Sequence, residues 1–207
     1  MEKAIALSLL QIKAIKLNPQ NPFTWASGWR SPIYCDNRKI LSFVKDRKLV
    51  ARSFAEVIRA KYADVDVIAG VATGAIAWGL MAAELLDKPF IYVRSAAKDH
   101  GLANQVEGCY QAGQTVVVVE DLISTGGSSL AAVEALRSAG LDVQGMVAIF
   151  TYGFPLAEAN FESASVDLTT LSNYNVLIQA AIENNYVSAD ELETLKEWRL
   201  SPSTWKA

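Results

Sequence analysis

Histidine occurs once in the 207 residues, at His100, and cysteine twice, at Cys35 and Cys109, with no Cys-x-x-Cys pair. This scarcity argues against a disulfide framework and against a Cys/His zinc site. Two isolated thiols suit a reducing compartment, so the expected location is cytoplasmic. Positive charge is also in short supply: 19 Lys and Arg stand against 22 Asp and Glu, a net charge of −3. A nucleic-acid partner, which calls for a basic face, is therefore not expected, although a few placed cations suffice for a small phosphate ligand. No run of about 18 uninterrupted apolar residues occurs, so no membrane span is expected. The N-terminal apolar run is broken by Ser8, Gln11 and lysines and lacks a small-residue cleavage site, which reads as an amphipathic helix rather than a signal peptide.

Apolar residues, in contrast, make up 51% of the chain, enough for a sizeable core. The length suits a single domain with at most a small subdomain. Residues 2–17 carry Ile5, Leu9, Ile12 and Ile15 at helical spacing, until Asn18-Pro19 breaks the pattern. Residues 23–36 read as short irregular strands or a loop. Residues 44–62 return to a helix with Leu49, Val50, Phe54, Val57 and Ile58 on one face. From there strands expected at 65–69, 90–93, 115–119, 143–150 and 166–171 alternate with helices at 75–86 and 128–139, the latter closed by Gly140. Two helices follow, the second opening with a capping box at Ser188 and Glu191. The alternation implies an α/β fold with a mostly parallel sheet.

The segment from Val116 to Ser129 reads Val-Val-Val-Val-Glu120-Asp121-Leu-Ile-Ser-Thr-Gly-Gly-Ser-Ser. A doubly buried strand runs into two adjacent carboxylates, then a loop of hydroxyls and glycines, then a helix. Unpaired N–H groups and the macrodipole at such a helix start favour an anion. Two acids beside a phosphate seat make sense if they accept hydrogen bonds from sugar hydroxyls, giving one pocket a phosphate end and a sugar end. An ordinary strand–turn–helix is the plain alternative, but it does not account for the acids. The string is neither a Walker loop, which needs Gly-Lys-Ser/Thr, nor a dinucleotide fingerprint, in which the glycines come first.

The string resembles the phosphoribosyl-diphosphate motif of the type I phosphoribosyltransferases. The resemblance implies a twisted, mostly parallel sheet flanked by helices, with a small hood formed largely by the N-terminal segment. On that plan the chain is one domain, with the hood mainly at 1–45, the core at about 46–172 and C-terminal helices at about 173–200. It also implies that Glu120 and Asp121 hold ribose hydroxyls, that Ser124, Thr125, Gly126, Gly127 and Ser128 hold the 5′-phosphate of 5-phosphoribosyl-1-diphosphate (PRPP), and that Leu122 and Ile123 belong to the same PRPP-binding stretch.

Residues 92–108 contain Arg94, Lys98 and His100 between Tyr92 and Gly108, with Gly101 as a further hinge. From composition alone this is as readily a solvated surface loop as a lid. The pattern Arg-x-x-x-Lys-x-His-Gly, however, resembles the catalytic loop of the orotate phosphoribosyltransferase branch. That resemblance implies a homodimer in which loop 94–108 acts in trans, Arg94, Lys98 and His100 gripping the diphosphate. Lys98, His100 and Asp121 are then the catalytic candidates. The hood string 23–34, Phe-Thr-Trp-Ala-Ser-Gly-Trp-Arg-Ser-Pro-Ile-Tyr, resembles the branch's base-binding segment. Ser27, Gly28, Arg30 and Tyr34 there, with Ser124, are the orotate-binding candidates. Tyr34 can equally serve to pack the hood. Gly70-Val-Ala-Thr73-Gly74 resembles the turn that approaches the diphosphate.

The chain departs from the better-known enteric-type members at four places. Ala26, Ser95 and Gly74 stand where those carry lysine, and Thr151-Tyr152-Gly153 replaces a segment bearing an arginine. The last departure removes a clamp on the orotate carboxylate, a role for which Arg30 is the candidate replacement. Magnesium is the implied cofactor, held mainly through substrate and water rather than by a dedicated ligand cluster. The expected reaction converts orotate and PRPP to orotidine 5′-monophosphate and diphosphate, in pyrimidine synthesis. Its rivals are transfer to another base and a catalytically silent PRPP sensor.

Overall fold

The computed structural model describes residues 1–95 and 105–205, Ala189 without its side chain. It divides into two compact units. One comprises 48–171, and the other is assembled from 1–47 and 172–207.

The larger unit is built on a six-stranded sheet. Its strands are β5 (Val67–Val71), β6 (Phe90–Val93), β7 (Val106–Glu107), β8 (Thr115–Ile123), β9 (Asp142–Thr151) and β10 (Leu168–Asn173), in the spatial order β10-β9-β8-β5-β6-β7. β9, β8, β5 and β6 run parallel and β7 returns antiparallel along β6. Val116–Val119 are fully buried, as expected of a central parallel strand covered on both faces. The helices are α2 (Val44–Lys61), α3 (Ile76–Leu86), α4 (Gly127–Ser138) and α5 (Pro155–Ser163). The α/β fold with a mostly parallel sheet flanked by helices is thus the one the alternation implies.

The topology decides where a ligand can enter. From β5 the chain steps through α3 to β6 on one side; from β8 it steps through α4 to β9 on the other. The two connections therefore part company above the carboxyl ends of β5 and β8, leaving a crevice between them.

Three expectations need correction. β8 does not end at the acid pair: it continues through Glu120 to Ile123, paired as Glu120↔Ala148, Leu122↔Phe150 and Ile123↔Thr151, because apolar Leu122 and Ile123 keep it in register with β9. The N-terminal helix α1 spans only Glu2–Gln11. Lys13 adopts a left-handed φ of 56°, and Ile15–Leu17 becomes strand β1, pairing with β4 (Ile33–Cys35). α5 has no counterpart among the expected helices. Only Ala157 and Phe161 face the core, too few for a visible periodic stripe, although Pro155 in its first turn is a start signal.

In the smaller unit β2 (Phe23–Thr24) and β3 (Arg30–Ser31) form a hairpin, and a short 3-10 helix spans Asn37–Ser42. The C-terminal helices are α6 (Tyr174–Glu183) and α7 (Ala189–Leu200), the latter opened by the expected Ser188/Glu191 capping box. Among the described residues no helix is long and apolar enough to cross a membrane.

Candidate active site

A cavity of about 240 Å³ opens at the β5/β8 switch point, lined by Val71 at the end of β5 and the turn after it (Ala72, Thr73, Gly74), by Arg94 and Gln105, by Glu120, Asp121 and Leu122, and by Ser128 of α4. Arg94, Glu120, Asp121, Leu122 and Ser128, all singled out in the sequence, therefore share one cleft.

The floor of the cleft is the acid pair. Glu120 is 5% exposed. Its Oε1 accepts the Asp121 N–H at 2.8 Å, and its Oε2 accepts the Ser129 hydroxyl at 2.9 Å. Burial pushes the Glu120 carboxyl up to about 8, with the charge of Asp121 adding to the rise and both hydrogen bonds opposing it. Asp121 is half-buried and packs against the turn at Gly74.

Beyond the pair lies the anion seat. α4 begins at Gly127 with Gly126 as N-cap in a left-handed conformation, φ 84°, and among the described residues no side chain caps this end. Its first N–H groups are thus positioned for an acceptor that a ligand can supply, an interaction worth about 0.3–1 kcal/mol for each nearby negative charge. Gly127 and Ser128 are exposed and a Cβ at Gly127 would meet nothing within 4 Å, so the mouth of the seat is open. Ile123, in contrast, is fully buried and offers a ligand only its backbone. Ser124 and Thr125 are half-buried.

Two residues that the sequence did not reveal brace this loop. Asn160 Nδ2 of α5 donates to the Thr125 carbonyl at 2.9 Å. Phe161 lies so close to Gly126 that a Cβ there would fall 2.7 Å from its ring, which, with the positive φ, makes glycine obligatory.

Arg94 stands at the rim, its Nη1 3.5 Å from Glu107 Oε1 and its backbone N–H donating to the Gln105 carbonyl. Lys98 and His100 lie outside the described residues. Ser27, Gly28, Arg30 and Tyr34 lie in the smaller unit, all exposed, on or beside the β2–β3 hairpin. Two indoles hold that hairpin: Trp25 Nε1 donates to the Ile33 carbonyl at 3.0 Å and Trp198 Nε1 of α7 to the Arg30 carbonyl at 3.2 Å. Tyr152, in the segment where an arginine is expected from the resemblance, is a buried aromatic stacked on Phe154.

A family model described as the phosphoribosyl transferase domain matches residues 43–166, which include both walls of the cleft. Over 203 residues the chain is 58% identical to the orotate phosphoribosyltransferase of Porphyromonas gingivalis, covering 98% of this chain and 97% of that one. The chain belongs to the orotate phosphoribosyltransferase family. Solved structures agree with the membership. An orotate phosphoribosyltransferase from Aeropyrum pernix superposes with a TM-score of 0.76 at 30% identity, over 89% of this chain and 99% of the other. Leishmania donovani UMP synthase superposes with a TM-score of 0.80 at 27% identity; this chain is matched over 95% of its length and spans 42% of that longer protein.

Magnesium is the cofactor that the resemblance implies, and the donors of the cleft can be set against it. Among the described residues no group of three or more His, Cys, Asp or Glu side chains could hold a metal ion. The oxygens of Glu120 and Asp121 offer hard donors to the same cavity. Such a donor set suits magnesium that keeps most of its ligands as water and substrate oxygens.

Proposed function

We propose that this orotate phosphoribosyltransferase family member transfers the ribose 5-phosphate of PRPP to orotate, giving orotidine 5′-monophosphate and diphosphate for pyrimidine synthesis. The observation that carries the reading is the set of groups in one cleft: a helix start that no described side chain caps, an acid pair of which Glu120 is buried, and a turn lacking side-chain bulk at Gly74. That set of environments fits a 5′-phosphate, a ribose and a diphosphate.

The reaction breaks the bond from the anomeric carbon to diphosphate and forms one to a base nitrogen. Positive charge develops on the sugar and negative charge on the departing oxygens, so positioning and leaving-group stabilisation are the main levers. On this reading residues 124–128 fix the phosphate and Glu120 and Asp121 fix the 2′ and 3′ hydroxyls, presenting the anomeric carbon towards the 72–74 turn. Arg94, which the resemblance counts with the loop acting in trans, lines its own chain's cleft beside Glu107, and on this reading it leaves Glu107 for the diphosphate of that cleft. Lys98 and His100, reaching over from a second subunit of a homodimer, add charge there and assist proton movement at the leaving group. Magnesium, when bound, would be held by carboxylate oxygens of the acid pair together with water and substrate, and would supply further positive charge to the leaving group. Arg30, Ser27, Gly28 and Tyr34, with Ser124, receive orotate, Arg30 facing its carboxylate. The thiols of Cys35 and Cys109, neither of them in a disulfide, fit a cytoplasmic site of action.

The test is orotate consumption, followed by absorbance with PRPP and magnesium, beside uracil, adenine, hypoxanthine and xanthine. Formation of the orotate nucleotide is the expected result. Turnover of another base in its place overturns the base assignment, and PRPP binding with no turnover of any base replaces the enzyme with a sensor.

A further inference from the structure

Glutamate is the longer of the two acids, and one more rotatable bond must be fixed before its carboxylate can meet a sugar hydroxyl in a defined direction. The structure fixes it from two sides. One restraint is local, the N–H of the next residue, Asp121. The other comes from α4: Ser129 is 2% exposed, and its hydroxyl donates to Glu120 Oε2 at 2.9 Å. Ser129 does not line the cleft, whereas its neighbour Ser128 does. The serine thus has its hydrogen bond on the protein side of the carboxylate and leaves the cleft side to a ligand.

We propose that Ser129 is a positioning residue that aims the Glu120 carboxylate at the ribose hydroxyls of PRPP. The inference rests on the assignment of Glu120 to the ribose. It gives α4 a double duty: its first turn seats the phosphate, and a side chain two residues further on fixes the acid that meets the sugar. The spacing between the two seats is then set by one rigid element. A carboxylate oriented before the ligand arrives loses less freedom on binding, which strengthens binding without a direct contact from the serine.

The experiment compares steady-state constants for Ser129→Ala, Glu120→Gln, the double variant and Ser129→Thr in the full-length protein. Alanine is nearly isosteric with serine and a better helix former, so the fold is retained. Ser129→Ala is expected to raise the KM for PRPP about five-fold, the usual consequence of losing one ordinary hydrogen bond. The KM for orotate stays at the wild-type value. Ser129→Thr, which keeps the hydroxyl, recovers most of the loss. In the Glu120→Gln background Ser129→Ala adds little, because the group it orients is already altered. A wild-type KM for PRPP in Ser129→Ala beside a raised one in Glu120→Gln rejects the role of Ser129 and leaves the ribose assignment standing. Fully additive effects in the double variant reject it too. A wild-type KM for PRPP in Glu120→Gln overturns the ribose assignment itself, and the inference with it.

Discussion

The carboxylate of Asp121 fills the space in front of Gly74. A Cβ built on Gly74 falls 2.5 Å from Asp121 Cγ and nearer still to Oδ2, a separation that no real side chain adopts. A glycine where enteric-type relatives carry lysine is therefore more than a missing charge: at this position the acid and the turn share one volume. Gly74→Ala should push Asp121 aside by about an ångström, and displacements of that size cost roughly 100-fold in rate. The expected result is a fall of that order in kcat/KM for PRPP, with the thermal midpoint within a few degrees of wild type. Unchanged kinetics would mean that the position of Asp121 does not matter to the reaction.

That relation also shows where sequence reading stops. The acid pair and the hydroxyl-glycine loop were legible because strand, acids, loop and helix are contiguous and each has its own local signature. Gly74 against Asp121, Ser129 against Glu120, and Asn160 and Phe161 against the loop are contacts between different elements, and no periodicity records them. Ile12 and Ile15 misled for the complementary reason. They keep helical spacing past the point where Lys13 turns the chain, and the pairing of Ile15 with Cys35, which decides the outcome, is twenty residues away.

The buried Glu120 carboxyl gives stability a definite pH dependence. Its folded-state value, pushed up to about 8, lies above its ordinary 4.5. Between those values the native protein binds the proton and the unfolded chain does not, so stability falls as pH rises. The contribution is complete below about 4.5 and gone above about 8. Urea midpoints of the ligand-free protein at a series of pH values across this window should therefore decline, and the decline should be smaller in Glu120→Gln. Equal slopes in the two proteins would show that Glu120 is already ionised at neutral pH.

The hood hairpin depends on a residue 168 positions away: Trp198 Nε1 holds the Arg30 carbonyl, and the Trp198 ring meets Trp25 edge-on at 5.6 Å. Trp198→Phe keeps an aromatic ring but removes this donor, at a cost in stability of about 1–3 kcal/mol for an unsatisfied carbonyl and a small cavity. If Arg30 and its neighbours receive the base, the KM for orotate should rise several-fold while that for PRPP stays put. A parallel rise in both would assign the tryptophan to general stability alone.

Subunit mixing tests the assembly. Lys98→Ala and Asp121→Ala proteins are each expected to be nearly inactive. If Lys98 serves the neighbouring subunit, a mixed dimer contains one site with both residues intact and one site with neither. Random re-association makes half the dimers mixed, so recovery should approach about a quarter of wild-type activity, as two-fold symmetry dictates. A lysine that serves its own subunit leaves every site in the mixture lacking one residue or the other, and activity stays at the level of the separate variants. The recovered fraction therefore distinguishes a shared site from a self-contained one without a structure of the complex.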